Sequence, residues 1–177
     1  MEKPSLYPNQ LFITSQLEHK IRTLCSYFPN KEWSGVLFTK KSTSSNGTRY
    51  YEAIDMYLLD IGSATHTEYE FTPELMSYIA DNDYLDLRMD LIHSHNRMES
   101  FFSCVDWSTL ISETKVKGSY LSLIVNNKGQ YEAKVGELIN GGVHAFPLII
   151  ENMGIDQELK EQIELINIQE EDDTEEF

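Results

Sequence analysis

At 177 residues, 41% of them apolar and 11% aromatic, the chain suits one folded domain with a sizeable core and is too apolar to stay disordered. Fourteen basic residues stand against 29 acidic ones, a net charge of −15, and that balance argues against nucleic acid as a partner, because backbone phosphates are held by Lys/Arg patches. Cys25 and Cys104 form neither a disulfide framework nor a Cys-x-x-Cys pair, no apolar run reaches the roughly 20 residues that span a bilayer, and the start lacks signal-peptide chemistry. A reduced, cytoplasmic protein with no membrane partner is therefore expected.

In chain order, Thr14 and Ser15 are good N-caps, Ser15 with Glu18 fits a capping box, and Leu17, Ile21, Leu24, Cys25 and Phe28 then repeat at helical spacing, with Cys25 as a core thiol. Residues 36–39 read as a strand, 40–48 as a loop, and 49–59 as a second strand that closes a hairpin. A polar loop holding His66 leads to Thr72-Pro73-Glu74, whose cap chemistry predicts a helix to about residue 84. Residues 89–95 read as a buried strand whose histidine end emerges beside loops. A helix over 103–116 comes next, with Ser103 and Asp106 at capping-box positions and Phe102 and Trp107 as a hydrophobic staple. Residues 120–125 and 130–136 form the clearest hairpin, around Asn126-Asn127-Lys128-Gly129. Asn140-Gly141-Gly142 breaks the pattern, 143–150 reads as an edge strand because of Pro147, and Ile155, Leu159, Ile163 and Ile166 mark a last amphipathic helix. Acidic residues crowd the end, so the chain divides into a domain over 1–168 and a solvated acidic tail over 169–177.

The chemistry concentrates at Leu91-Ile92-His93-Ser94-His95 and in the stretch from Asn96 to Asp106. Two histidines two residues apart on a strand point to the same side, and the run continues as His-x-His-x7-Ser-x-x-Asp, ending on Asp106. Neutral imidazoles and a carboxylate suit Zn²⁺, and three protein ligands leave a fourth position for water, the mark of a catalytic site.

This spacing resembles the JAMM metalloprotease family, also called MPN-plus or JAB domains, whose pattern adds a glutamate before a Gly-containing strand; Lys31-Glu32-Trp33-Ser34-Gly35 supplies it. The resemblance covers roughly residues 11–137. It implies one Zn²⁺ per chain on His93, His95 and Asp106, with Glu32 as general acid/base and Ser103 as donor to the tetrahedral intermediate. It also implies an α/β (α+β) fold, a curved mixed sheet flanked by helices in the JAB/MPN (cytidine-deaminase-like) architecture. The reaction would be hydrolysis of a peptide or isopeptide bond in a protein or peptide substrate, ubiquitin-like tails among them, the substrate pairing with an exposed strand near the site. Asn96 departs from the pattern, standing where many members have proline.

Other sites are weaker. Zinc-deaminase, His-Glu-x-x-His, Gly-x-Ser-x-Gly and phosphate-loop motifs are absent; Cys104 with His95 is a minor nucleophile candidate, and His19 and His144 have no partner at ligand spacing. The alternative for the whole constellation is a non-catalytic JAMM-like scaffold that binds protein partners.

Overall fold

The computed structural model describes residues 9–62, 71–99 and 101–152. They form β1 (Gln10–Ile13), α1 (Ser15–Tyr27), β2 (Trp33–Thr43), β3 (Arg49–Ile61), α2 (Pro73–Asp81), β4 (Arg88–Ser94), α3 (Cys104–Lys117), β5 (Ser119–Val125), β6 (Tyr131–Ile139), β7 (Gly142–Pro147) and β8 (Ile149–Asn152). Each helix begins on a cap. Of the two expected caps Thr14 and Ser15, it is Thr14 whose Oγ1 accepts from the Leu17 N–H at the head of α1. Thr72 with Pro73 opens α2, and Ser103 with Asp106 forms a complete capping box on α3.

The strands make one sheet in the order β7-β6-β5-β4-β2-β3-β1-β8. β4 pairs antiparallel with β2 and parallel with β5, β1 pairs parallel with β3 and β8, and the remaining pairs are antiparallel hairpins. β7 and β8 stand at opposite ends of this order, yet Leu148 alone separates them in the chain. Two residue steps reach at most about 7 Å, so the two edges approach each other and the sheet nearly closes. Leu148 N–H donates to Ala133 O of β6, and Ile149 N–H to Asn9 O beside β1.

This near closure corrects the expected α/β (α+β) architecture, the helix-flanked sheet of JAB/MPN (cytidine-deaminase-like) type. Strands hold 45% of the described residues, in a barrel-like sheet with three helices among those residues. The largest core collects Leu11, Leu37, Tyr51, Ile92, Leu123 and Val135 from six strands, and Leu17 and Ile21 of α1 join it. On the opposite face of the strands, Leu75 and Ile79 of α2 cover Val36 and Phe38, and Leu110 of α3 covers Leu91, Tyr120 and Ile124. The curl has a local cause. Register shifts at Ser34/Gly35 and Phe38/Thr39 leave Leu59 and Ile54 as extra residues in β3, and such bulges bend and twist the strand that carries them.

Three further differences arise from pairing. β2 continues to Thr43, so the expected loop shrinks to a turn around Asn46-Gly47. Asn140-Gly141 does not end the sheet but is the two-residue turn between β6 and β7, with φ of 50° and 80°, as a type I′ hairpin requires. The expected strand over 143–150 is split at Leu148, just after Pro147, into two strands on opposite edges. His66, the expected helix around 155–166 and the tail 169–177 lie outside the described residues. Among the described residues no helix is long and apolar enough to cross a membrane.

Gly35 sits at the first register shift between β2 and β3, and a Cβ there would overlap the carbonyl oxygen of Tyr57. Backbone cannot yield as a side chain can. Gly35→Ala is expected to destabilise the fold by about 1–3 kcal/mol, read as a lower denaturant midpoint.

Candidate metal centre

The histidines stand at the C-terminal end of β4, whose backbone is held from both sides: His93 is in register with Ser34 of β2 and with Ile124 of β5. Alternation turns Leu91, His93 and His95 to the face covered by α3, while Ile92 enters the main core. One residue past the strand, His95 N–H still donates to Val125 O at 2.8 Å, so its ring is placed by the sheet. The two imidazole centroids lie 4.9 Å apart.

Asp106 meets them from the first turn of α3. Its Oδ2 accepts from Ser103 N–H at 2.7 Å and from Ser103 Oγ–H at 2.6 Å. Its Oδ1 lies 2.8 Å from His93 Nε2, and its Oδ2 lies 3.4 Å from His95 Nε2. Burial alone would raise the Asp106 carboxyl, but His93, His95 and Ser103 together hold it far below its ordinary range. The Asp106 contact raises His95 above its ordinary 6.5 against the cost of desolvation, with the Glu99 carbonyl and the charges of Asp106 and Glu32 adding to the effect.

These three buried residues could hold a metal ion, their donor atoms lying within 4.8 Å of one another. Two ligands about 2.0–2.1 Å from one tetrahedral zinc stand about 3.3 Å apart, and the 2.8 Å and 3.4 Å separations bracket that figure. His93 adds a second sign of fit. Although its Nε2 is close to Asp106, the two are not aligned as a hydrogen bond, and among the described residues neither ring nitrogen of this buried histidine has a hydrogen-bond partner. An imidazole so placed is costly unless a cation takes a lone pair.

Glu32 precedes β2 at the same end of the sheet, half-buried, its carbonyl accepting from Gly62 N–H at 2.7 Å. Its charge reaches His95, yet it is not one of the three clustered ligands. Ser103 Oγ–H is given to Asp106, so in this arrangement the hydroxyl orients a ligand. Cys104 is exposed, in a surface groove with Trp107, Ser108 and Ile111. Cys25 is half-buried against the main core, and burial pushes its thiol up. His19 and His144 are exposed.

The residues that hold the histidine loop carry no motif and were not expected from the sequence. Asn127 N–H donates to Asn96 O at 2.7 Å, and Asn126 Nδ2 to Met98 O at 2.9 Å, while Asn126 Oδ1 closes its own turn by accepting from Lys128 and Gln130 N–H. His95 Nδ1 faces Glu99 O at 3.2 Å. Asn-rich turns carry such tethers, and that was the signal the sequence offered. β2 and β4 each already have a strand on both sides; Met98 and Phe101 are the exposed apolar groups beside His95, the Phe101 ring edge-on to it at 5.8 Å.

No family model and no curated protein matches this chain. Among solved structures it is similar to protein DSY2949 from Desulfitobacterium hafniense, a solution structure, at 15% identity and a TM-score of 0.45 over 81% of this chain and 94% of that one. So low a score carries no argument about fold or function.

Asn96 has φ of 61°, a left-handed conformation that asparagine tolerates and proline cannot adopt. Asn96→Gly should therefore leave stability nearly unchanged, whereas Asn96→Pro should cost more than about 1 kcal/mol. Thermal midpoints of the two variants check this.

Proposed function

We propose that the chain is a zinc-dependent hydrolase of peptide or isopeptide bonds, related to the JAMM metalloproteases through its motif and acting on protein or peptide tails of the ubiquitin-like kind. The carrying observation is the buried His93–His95–Asp106 cluster with Glu32, a second carboxylate, near it but outside the ligand set. A bound Zn²⁺ would supply a water acidified to about pKa 7 and polarisation of the scissile carbonyl.

The chain's own residues supply the rest. Glu32 takes the proton of the attacking water and passes it to the leaving amine, a task that needs a carboxylate close to the water but off the metal. His95 presents Nε2 because Nδ1–H is engaged by the Glu99 carbonyl. Ser103 holds Asp106 through two hydrogen bonds, and its hydroxyl turns to the developing oxyanion when the carboxylate no longer needs it. Met98 and Phe101 offer an apolar rim to the substrate.

Two measurements test the reading. Purified parent should carry one zinc per chain by elemental analysis, and His93→Ala or His95→Ala should lose it, since two ligands hold the ion far less tightly than three; near-stoichiometric zinc in both variants would remove these ligands. Glu32→Gln should keep parent levels of zinc while hydrolysis of tails joined to lysine falls at least about 10²-fold. Zinc-loaded parent that cleaves none of a panel of ubiquitin-like and unrelated tails would favour the non-catalytic scaffold.

A further inference from the structure

The two histidines are unequally supported. His95 has an outer partner for Nδ1 in the Glu99 carbonyl, but His93 Nδ1 has no partner among the described residues. Metal-binding imidazoles almost always donate their second N–H, because that bond fixes the tautomer and ring orientation. Something should serve His93.

Ser34 is the group in place. It is 4% exposed, and its Oγ is buried without a hydrogen-bond partner among the described residues. Ser34 and His93 are register partners across the antiparallel β2–β4 pair, so both side chains leave the same face, with Cβ atoms about 4.5–5.5 Å apart. A rotation about Cα–Cβ of either residue moves the hydroxyl and the ring relative to each other. Ser122 Oγ is also buried and unpartnered among the described residues, but Ser122 is in register with Leu91, two residues earlier on β4. Two polar groups left unpaired on facing positions, one of them on a ligand, mark a bond that belongs to the loaded state.

We propose that Ser34 is a positioning residue: in the metal-loaded protein its Oγ accepts the His93 Nδ1–H bond and holds Nε2 toward the ion. Ser34 thus does for His93 what the Glu99 carbonyl does for His95. This rests on the reading of His93, His95 and Asp106 as a zinc site. Without metal, the same hydroxyl is an unpaired buried group and destabilises the fold, so its contributions to folding and to metal binding have opposite signs.

The test compares full-length parent, Ser34→Ala and Ser34→Thr by competition for zinc with a chromophoric chelator. Ser34→Ala should bind zinc at least about 10-fold more weakly, while its metal-free thermal midpoint stays equal to or above the parent's. Ser34→Thr keeps the hydroxyl and should recover the affinity. Imidazole-proton NMR of the zinc-loaded parent gives a readout that needs no variant to fold well: the His93 Nδ1–H should be slow to exchange, like that of His95, and in Ser34→Ala only the His93 signal should be lost. Equal zinc affinity of Ser34→Ala and parent overturns the proposal, as does a rapidly exchanging His93 Nδ1–H in the loaded parent. Parent that binds no zinc overturns the site reading itself; parent that binds zinc with indifference to Ser34 overturns this inference alone.

Discussion

One carboxylate used twice sets the geometry of the site. Asp106 closes the first turn of α3 by accepting from Ser103, and the same group faces His93 and His95 across the gap to β4. Both roles require the anion: a helix N-terminus favours negative charge, and a metal ligand must be deprotonated. They are compatible because Oδ2 takes both bonds from Ser103 while Oδ1 faces His93. The position of Asp106 then depends on how α3 sits. Leu110 packs on Leu91, Tyr120 and Ile124, and Gly136 lets Thr114 come so close to β6 that any Cβ at residue 136 would collide with it. Helix packing several residues away therefore places the ligand.

The parts legible in the sequence were those whose signal is local. The period-two histidines, the Ser103–Asp106 capping box, the helices with their Thr and Pro caps and the β5–β6 hairpin each lie within one stretch of chain. What escaped was pairing between distant stretches. β1 and β8 have four residues each, too few to show alternation, and they are strands because each finds a parallel neighbour far away in sequence. The near closure of the sheet was invisible for the same reason. Asn140-Gly141 was a different kind of miss, since its hairpin signal was local and strong and strands were expected on both sides of it, yet it was read as a break in the pattern rather than as the turn that pairs them. Glu32, named from the motif, does come to the histidine end of the sheet; Ser34, two residues on, has no signature of its own. Its relation to His93 exists only as a cross-strand register.

The distribution of unmet polar groups separates the site from the rest of the fold. Elsewhere, buried charge is well served: Asp90 accepts from Thr39, Arg88 and the Leu121 N–H, and Asp55 accepts from Lys20, Tyr78, Tyr84 and the Met56 N–H. Of six buried side-chain atoms without a partner among the described residues, three belong to Ser34 and His93, which face each other where β2 begins and β4 ends, and a fourth to Trp33, the neighbour of Ser34 that turns into the main core. Each such group costs about 1–3 kcal/mol, a large fraction of the margin by which a domain is stable. A sheet that satisfies Asp90 and Asp55 so fully has no general difficulty in pairing its polar groups. The deficit is concentrated at the strand ends that carry Glu32, His93 and His95, and departures from local satisfaction are expected where a fold is shaped for a ligand. Binding a cation there would relieve His93 first, and the stability gained on loading would come from the same atoms that weaken the empty fold.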